Sequence, residues 1–343
     1  MGADLTLWAQ TLRDLMVGFL PGPGGPPPAL LLLLALALDW LTAGFGWLWR
    51  ILPHPVVWIG GLIGGLDRRL NRDGRSPGML RLRGAFTVLI VVGLAGTVGG
   101  AIAYYGRLLP YGWLIELFVA TTLLAQRSLF AHVRLVAKAL RLNGVEGGRA
   151  AVRHIVGRDV QALDEYGVAR AAVESGAENF SDAVVAPVFW YLLLGLPGML
   201  AYKAINTLDS MIGYRTPRHE NFGKVAARLD DAANFIPARL SALLIALAAV
   251  AAPTANPLRA LVTVWRDARK HRSPNAGWPE AAMAGALDLA LAGPRPYHGQ
   301  MQPAPWIGSG RARVTPHDIN RALFLYAVAC LLTMAATAAA SLI

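Results

Sequence analysis

Carboxylates, amides and cations gather at three places in a chain that holds few of them. Glu174, Glu178 and Asp182 recur at intervals of four, which puts them on one face of a helix with Asn179 beside them. Such a face can hold magnesium or move a proton; equally, it can be a solvated face paired with Arg170 and the arginines upstream. The second group is the largest: Lys203, Asn206, Asp209, Arg215, Arg218, His219, Lys224, Arg228, Asp230, Asp231 and Asn234, between two apolar segments. Hard cations take oxygen ligands, so Asp209, Asp230 and Asp231 with Asn234 suit magnesium, and the Lys and Arg side chains suit phosphate. The competing reading is an interhelical loop with structural ion pairs, although charge beside a membrane is costly without a use. The third group runs from Arg266 to Glu280, where Lys270 and His271 precede Ser273-Pro-Asn-Ala-Gly-Trp-Pro-Glu280. Basic residues before a helix N-terminus suit an anion, and a juxtamembrane basic run also serves as a topology signal or a lipid headgroup contact.

The elements that must position these groups are apolar helices. The 343 residues are 55% hydrophobic and 15% charged, against about 25% charged in soluble chains, and the mean hydropathy is +0.43. An all-α, polytopic integral membrane protein follows. Residues 84–105 and 322–343 are uncharged and reach the roughly 20 residues a span needs. Residues 29–49 and 108–125 each carry one acid, Asp39 and Glu116, and also read as spans. Two further segments are interrupted: 183–202 by Pro187 and Gly195-Leu-Pro-Gly198, and 235–253 by Arg239 near its start. Full spans would place 203–234 outside; broken or re-entrant segments would keep it with the cytoplasmic loops, lining a cavity where irregular backbone is tolerated. Residues 1–28 form a Pro/Gly-rich leader without a basic start, unlike a cleaved signal peptide, and 29–343 reads as one membrane-embedded catalytic domain.

Charge orients the chain. The loop from Arg50 to Arg83 holds seven basic residues against Asp67 and Asp73, and the loop 254–321 nine against four acids, which places both in the cytoplasm. Leu129, Val133, Val136 and Leu140 alternate with Arg127, Arg134, Lys138 and Arg141 as an amphipathic helix, lying on the membrane or packed on protein. Asp39 and Glu116 read as substrate contacts or as acids hydrogen-bonded to a neighbouring helix. His54, between two prolines, reads as a positioned ring or as a structural one, and Gly96 with Gly100 as a GxxxG packing face. The single cysteine, Cys330, excludes an intramolecular disulfide and a thiolate zinc cluster. No G-x-x-x-x-G-K-[ST] or H-E-x-x-H run occurs, which argues against a P-loop motor and a zinc peptidase. Basic residues follow the membrane boundaries, so nucleic acid is not an expected partner; the lipid bilayer is.

Six stretches carry a resemblance: His54-Pro-Val-Val-Trp-Ile-Gly-Gly61; Ile155-Val-Gly-Arg-Asp159 with Leu163-Asp-Glu165; Val173-Glu-Ser-Gly-Ala-Glu-Asn-Phe-Ser-Asp182; Tyr202-Lys-Ala-Ile-Asn-Thr-Leu-Asp-Ser-Met-Ile-Gly-Tyr214; Ala227-Arg-Leu-Asp-Asp-Ala-Ala-Asn-Phe-Ile-Pro-Ala-Arg239; and Ser273-Pro-Asn-Ala-Gly-Trp-Pro-Glu-Ala-Ala-Met-Ala-Gly285. In this order they resemble the membrane-bound adenosylcobinamide-phosphate synthases of cobalamin biosynthesis, over about residues 30–340. That family usually has Gly where Ala183 stands, and an acid-proline pair soon after the first-span Asp, where Gly44-Phe-Gly-Trp-Leu-Trp-Arg50 intervenes here.

The resemblance implies an ATP-dependent amide ligase that joins the propionate carboxylate of adenosylcobyric acid to aminopropanol phosphate or ethanolamine phosphate. It implies ATP and Mg2+ as cofactors, with cobalt arriving inside the corrinoid. It also implies a multi-pass protein of a bacterial cytoplasmic membrane, with its active site toward the cytoplasm and other late cobalamin-pathway membrane enzymes as partners. On this basis Asp209, Asp230 and Asp231 are assigned to magnesium, and Lys203, Asn206, Arg215, Lys224, Arg228 and Asn234 to ATP. Glu178 or Asp182 would deprotonate the attacking ammonium. His54, Arg158, Asn179, Lys270, His271, Ser273, Asn275 and Glu280 would hold substrate, with Arg158, Lys270 and His271 on the phosphate. Because ATP is cytoplasmic, the broken or re-entrant reading of 183–202 and 235–253 is preferred. Two rivals fit part of the pattern: a magnesium-dependent membrane transferase acting on diphosphates, from Asn206-Thr-Leu-Asp209 and Asp230-Asp231, and a transporter, from broken helices and intramembrane acids.

Overall fold

The computed structural model describes residues 25–42, 45, 53–157, 159–214, 216–297, 300–302 and 304–342. Arg158, Arg215, most of the leader and the stretch 46–50 therefore lie outside the described residues. The helices are α1 (Pro28–Thr42), α2 (Pro55–Leu70), α3 (Pro77–Leu108), α4 (Trp113–Leu123), α5 (Gln126–Val152), α6 (Glu165–Phe180), α7 (Ala186–Ile212), α8 (Lys224–Ala233), α9 (Phe235–Ala248), α10 (Pro257–Asp267), α11 (Gly277–Leu287) and α12 (Pro316–Ala340). A π-helical turn, Ser181–Val185, joins α6 to α7. Among the described residues the strands are two short antiparallel pairs, Leu291–Ala292 with Trp306–Ile307 and Arg295–Tyr297 with Gln300–Gln302.

Among the described residues, four stretches are long and apolar enough to cross a membrane: Pro77–Leu108, Trp113–Val152, Glu165–Ile212 and Pro316–Ala340. The bent pair Lys224–Ala233 and Phe235–Ala251 would make a fifth. The protein is thus all-α and polytopic, as its composition requires. On α3, Phe86, Leu89 and Leu94 are exposed, Leu89 by 70%, a surface that hydrocarbon tolerates and water does not. The expected span 108–125 differs in detail. Tyr111 takes a positive φ of 60° after Pro110, the helix begins only at Trp113, and α4 has 11 residues. At 1.5 Å per residue that is about 16 Å, so the apolar stretch gains spanning length only by running on into α5. The described part of the first expected span, α1, has 15 residues.

The chain divides into two compact units, each built from separated pieces. The first comprises Met1–Leu124, Pro187–Ala233 and Ala336–Ile343; the second comprises Ala125–Ala186 and Asn234–Ala335. In the first unit α3 meets α2, α4 and α8, and α1 packs on α4. Buried Glu116 of α4 accepts a hydrogen bond from the Tyr191 hydroxyl at 2.7 Å, so of its two readings the structural one holds. The interruption at 195–198 is real: Gly195 sits at φ 65°, ψ −159° inside α7, a conformation reserved for glycine.

The second unit is organised by α11, which packs on α10, α9 and α6, while α6 packs on α5. Leu129, Val133, Val136 and Leu140 are all buried, so the amphipathic face of α5 packs on protein and does not lie on lipid. Gly285 allows α11 to close on α10, since a Cβ there would fall 2.5 Å from the Arg259 carbonyl oxygen.

The GxxxG reading needs correction. Gly96 has nothing within 4 Å of an added Cβ, and Gly100 only Pro197 Cγ at 3.9 Å. Gly99, one residue round the helix, is the true point of approach: its Cβ would lie 2.8 Å from Pro197 Cα and 3.0 Å from the Leu196 carbonyl oxygen. Spacing of small residues marks an approach but does not say which face makes it. Gly99→Ala is expected to destabilise by about 1–3 kcal/mol, while Gly96→Ala stays neutral or gains slightly from helix propensity. Thermal unfolding of the two variants in detergent checks this, and equal shifts would contradict it.

Candidate functional site

The candidate residues fall into two sets, one in each unit. In the first unit, Lys203, Asn206 and Asp209 follow the Gly195 break at intervals of three on α7. On α8, Lys224, Arg228 and Asp231 share one face by their spacing of four and three, and Asp230 is turned about 100° away. A tight return joins the two helices. A Cβ on Gly213 would lie 1.9 Å from Asp209 Oδ1, and one on Gly223 would lie 1.6 Å from the Ile212 carbonyl oxygen. The result is that Asp231 and Asp209 act on each other electrostatically. Among the described residues no three His, Cys, Asp or Glu side chains converge in a ready-made metal cage, so Asp209, Asp230 and Asp231 do not form a preassembled triad.

His54 caps α2. Its Nδ1 accepts the Val56 N–H at 3.2 Å, and its Nε2 reaches the Thr122 carbonyl at 3.0 Å, which fixes the tautomer with the proton on Nε2. Burial lowers its pKa, the Thr122 carbonyl opposes this, and nearby Lys203 adds to the lowering. Both ring nitrogens are thus engaged with backbone, in keeping with the structural reading.

Asp67, seen in the sequence only as a loop charge, is the hub of a network missed there. Its carboxylate accepts from Arg218 Nη2 at 2.8 Å and Asn71 Nδ2 at 2.9 Å, and His219 Nε2 lies 3.4 Å away. Burial pushes this carboxyl up, but Arg218, Asn71 and His219 together hold it below its usual value. Arg218 and His219 are therefore tied to α2.

In the second unit the three carboxylates of the first group do not form a continuous face. Glu174 is buried and accepts the Ala292 N–H at 2.8 Å, a structural role. Glu178 is exposed, and Asp182 is half-buried in the π-turn. The turn has a cause. Pro187 lacks the N–H that an α-helix would deliver to the Ala183 carbonyl; that carbonyl instead accepts the Ala125 N–H at 3.2 Å. Alanine at 183 meets no conformational obstacle, because it is absent from the described residues with positive φ. Asn179 donates to the Ser175 carbonyl at 2.9 Å and to Ser175 Oγ at 3.1 Å, while Ser175 Oγ donates to the Ile155 carbonyl at 2.5 Å. The motifs around Ile155 and Glu178 are thereby joined.

The third group is mostly framework. Lys270 Nζ lies 2.7 Å from Asp267, which also binds Arg266 in two bonds and accepts the Gly308 N–H at 2.9 Å. His271 Nδ1 accepts the Ser273 N–H at 3.0 Å, and its Nε2 lies 3.8 Å from buried Glu280. Ser273 Oγ accepts from the N–H groups of Asn275 and Ala276, closing the turn that leads into α11. Asn275 accepts from Arg239 at 2.9 Å, and that guanidinium stacks between Phe235 and Trp278. Asn234 is buried just before α9.

A family model described as CobD/Cbib protein matches residues 32–326. The chain belongs to that family. Among curated relatives, a cobalamin biosynthesis protein CobD from Sinorhizobium sp is 50% identical over 304 residues, covering 88% of this chain and 94% of the relative. Proteins of the same name from Rhizobium meliloti (strain 1021) and Rhodobacter capsulatus are 47% and 49% identical. They cover 91% and 85% of this chain, and 97% and 89% of their own lengths. No solved structure matches. All six motifs lie within the matched CobD/Cbib region.

Asp267 gives a pH test. Arg266 holds its carboxyl far below the ordinary carboxylate range against the effect of burial, helped by Lys270 and the Gly308 N–H. A depressed folded pKa means that the stabilisation is complete above the unfolded value near ~3.9 and is lost as pH falls through the folded one. Asp267→Asn should cost about 2–3 kcal/mol at pH 7. The gap to wild type in thermal unfolding should narrow below about pH 4.

Proposed function

We propose that this chain is the cobalamin-pathway ligase that forms an amide between the propionate carboxylate of adenosylcobyric acid and aminopropanol phosphate or ethanolamine phosphate. The match to the CobD/Cbib family over residues 32–326 carries the reading, supported by relatives named for cobalamin biosynthesis. ATP with magnesium would supply the activation that a carboxylate needs before an amine can displace its oxygen.

The first unit fits these groups. Mg2+ is usually held by one or two carboxylates, with waters and phosphate oxygens completing its shell, so the interacting pair Asp209 and Asp231 suffices without a third acid. Lys203 and Asn206 on α7, with Lys224 and Arg228 beside Asp231 on α8, would face phosphate oxygens. Asp230, on another side of α8, would support the pair and not bind the metal directly. In the second unit, Glu178 or Asp182 would take the proton from the attacking ammonium, as a general base does in amine acylation.

Purified protein in detergent, given ATP, magnesium, adenosylcobyric acid and either amine, should release ADP and a heavier corrinoid only when both substrates are present. Asp209→Ala and Asp231→Ala should each lower turnover by at least about a hundredfold, and full activity in either would remove the metal assignment. A corrinoid left unconverted with both amines would sink the reading.

We also propose that 203–234 faces the cytoplasm. Ser210 is exposed and the native Cys330 is buried, so a Ser210→Cys variant gives a clean signal. It should react with an impermeant thiol reagent only in inverted vesicles, and labelling only in intact cells would overturn the placement.

A further inference from the structure

We infer that a polar cleft in the second unit, where His132 and His154 meet the Asn179 amide, binds the small amine-and-phosphate substrate. This inference rests on the ligase reading above. The cleft has a volume of about 370 Å³ and is formed by the first turns of α5, the loop 154–157 and the end of α6 with its π-turn. That is the low end of the ~300–1,000 Å³ range of small-molecule sites, enough for a three-carbon phosphate ester and far too little for a corrin macrocycle.

The polar groups are set by bonds already described. Ser175 Oγ gives its only proton to Ile155, so toward Asn179 it can only accept. Asn179 must therefore turn its NH2 toward Ser175, which leaves Oδ1 as an acceptor with no partner among the described residues. An acceptor flanked in sequence by Glu178 and Asp182 suits an ammonium group. Opposite chemistry comes from α5. His132 Nδ1 lies 2.7 Å from the Ser128 carbonyl and so carries the proton there, which frees Nε2, a donor when the ring is charged. The exposed His154 ring has no hydrogen-bond or ion partner among the described residues, and Ser128, whose hydroxyl donates to the Ala125 carbonyl at 3.4 Å, lines the same wall. The N-terminus of α5, without a side-chain cap, adds a favourable dipole for an anion but decides nothing by itself.

One wall offers the Asn179 acceptor to an ammonium, and the other offers two imidazoles, which take a phosphate by protonating as it binds. The sequence expectation that Lys270 and His271 hold the phosphate gives way here, because both are engaged in the Asp267 and Ser273 framework.

The test uses full-length protein in detergent. Asn179→Leu, and separately the double variant His132→Ala with His154→Ala, should raise KM for ethanolamine phosphate at least about tenfold. The corrinoid KM and the melting temperature should stay unchanged. Asn179→Asp, which keeps an acceptor, should restore amine KM to within about threefold. An unchanged amine KM in the Leu and double-Ala variants, or a rise produced only by Lys270→Ala, overturns the assignment. Calorimetry without corrinoid separates the cleft from the reaction: ethanolamine phosphate should bind wild type and not the variants, and should bind more tightly than ethanolamine or inorganic phosphate. If the wild type makes no amide yet this binding pattern holds, the ligase reading fails and the cleft stands. If amide forms and the pattern is absent, the cleft fails alone.

Discussion

A carbonyl set among apolar helices must find a proton, and the Ala183 carbonyl cannot find one in its own helix because residue 187 is proline. Its bond to the Ala125 N–H links the end of one helix to the start of another, 58 positions earlier in the sequence. The widened π-turn that follows sets Asp182 off the line of Glu174 and Glu178. It also brings the beginning of α5 beside Asn179, so the cleft of the second unit exists because one donor is missing. Such turns recur at functional sites in other helical proteins.

The first unit solves a different problem, the placing of like charges near one another. Asp209 and Asp231 repel each other. Glycine at 213 and 223 brings the backbone too close for any side chain, so the return between α7 and α8 is held by covalent geometry and not by attraction between the acids. The same return carries Arg218 and His219 to Asp67, anchoring the end of the hairpin by charges other than Asp209 and Asp231. Arg218 and His219 thereby brace the fold through Asp67.

Apolar runs, the break at Gly195 and the clustering of charge were all legible, because composition and glycine-proline punctuation act within a few residues. What was not legible depends on partners far along the chain. The buried role of Glu174 needs the Ala292 N–H, 118 residues away. The orientation of Asn179 needs Ser175 and, through it, Ile155. Asp267 was visible as the lone acid in a basic run, a signal that could have marked it as a hub and tied Lys270 to it. Asp67 offered only Asn71 at i+4. The choice between Gly96, Gly99 and Gly100 is a rotation of one residue, which no count of small residues contains.

Gly195 leaves α7 as two rods, nine residues before it and 17 after, about 14 Å and 26 Å long. The shorter rod continues back through the π-turn into α6, so the apolar part reaches the roughly 30 Å of a hydrocarbon layer. A straight helix answers a thicker or thinner bilayer by tilting as a whole, which would swing Lys203 and Asp209 with it. A jointed one absorbs the mismatch at the joint, so the polar rod keeps its attitude while the apolar rod adjusts. Lipid composition then becomes something the charged end of this segment need not feel.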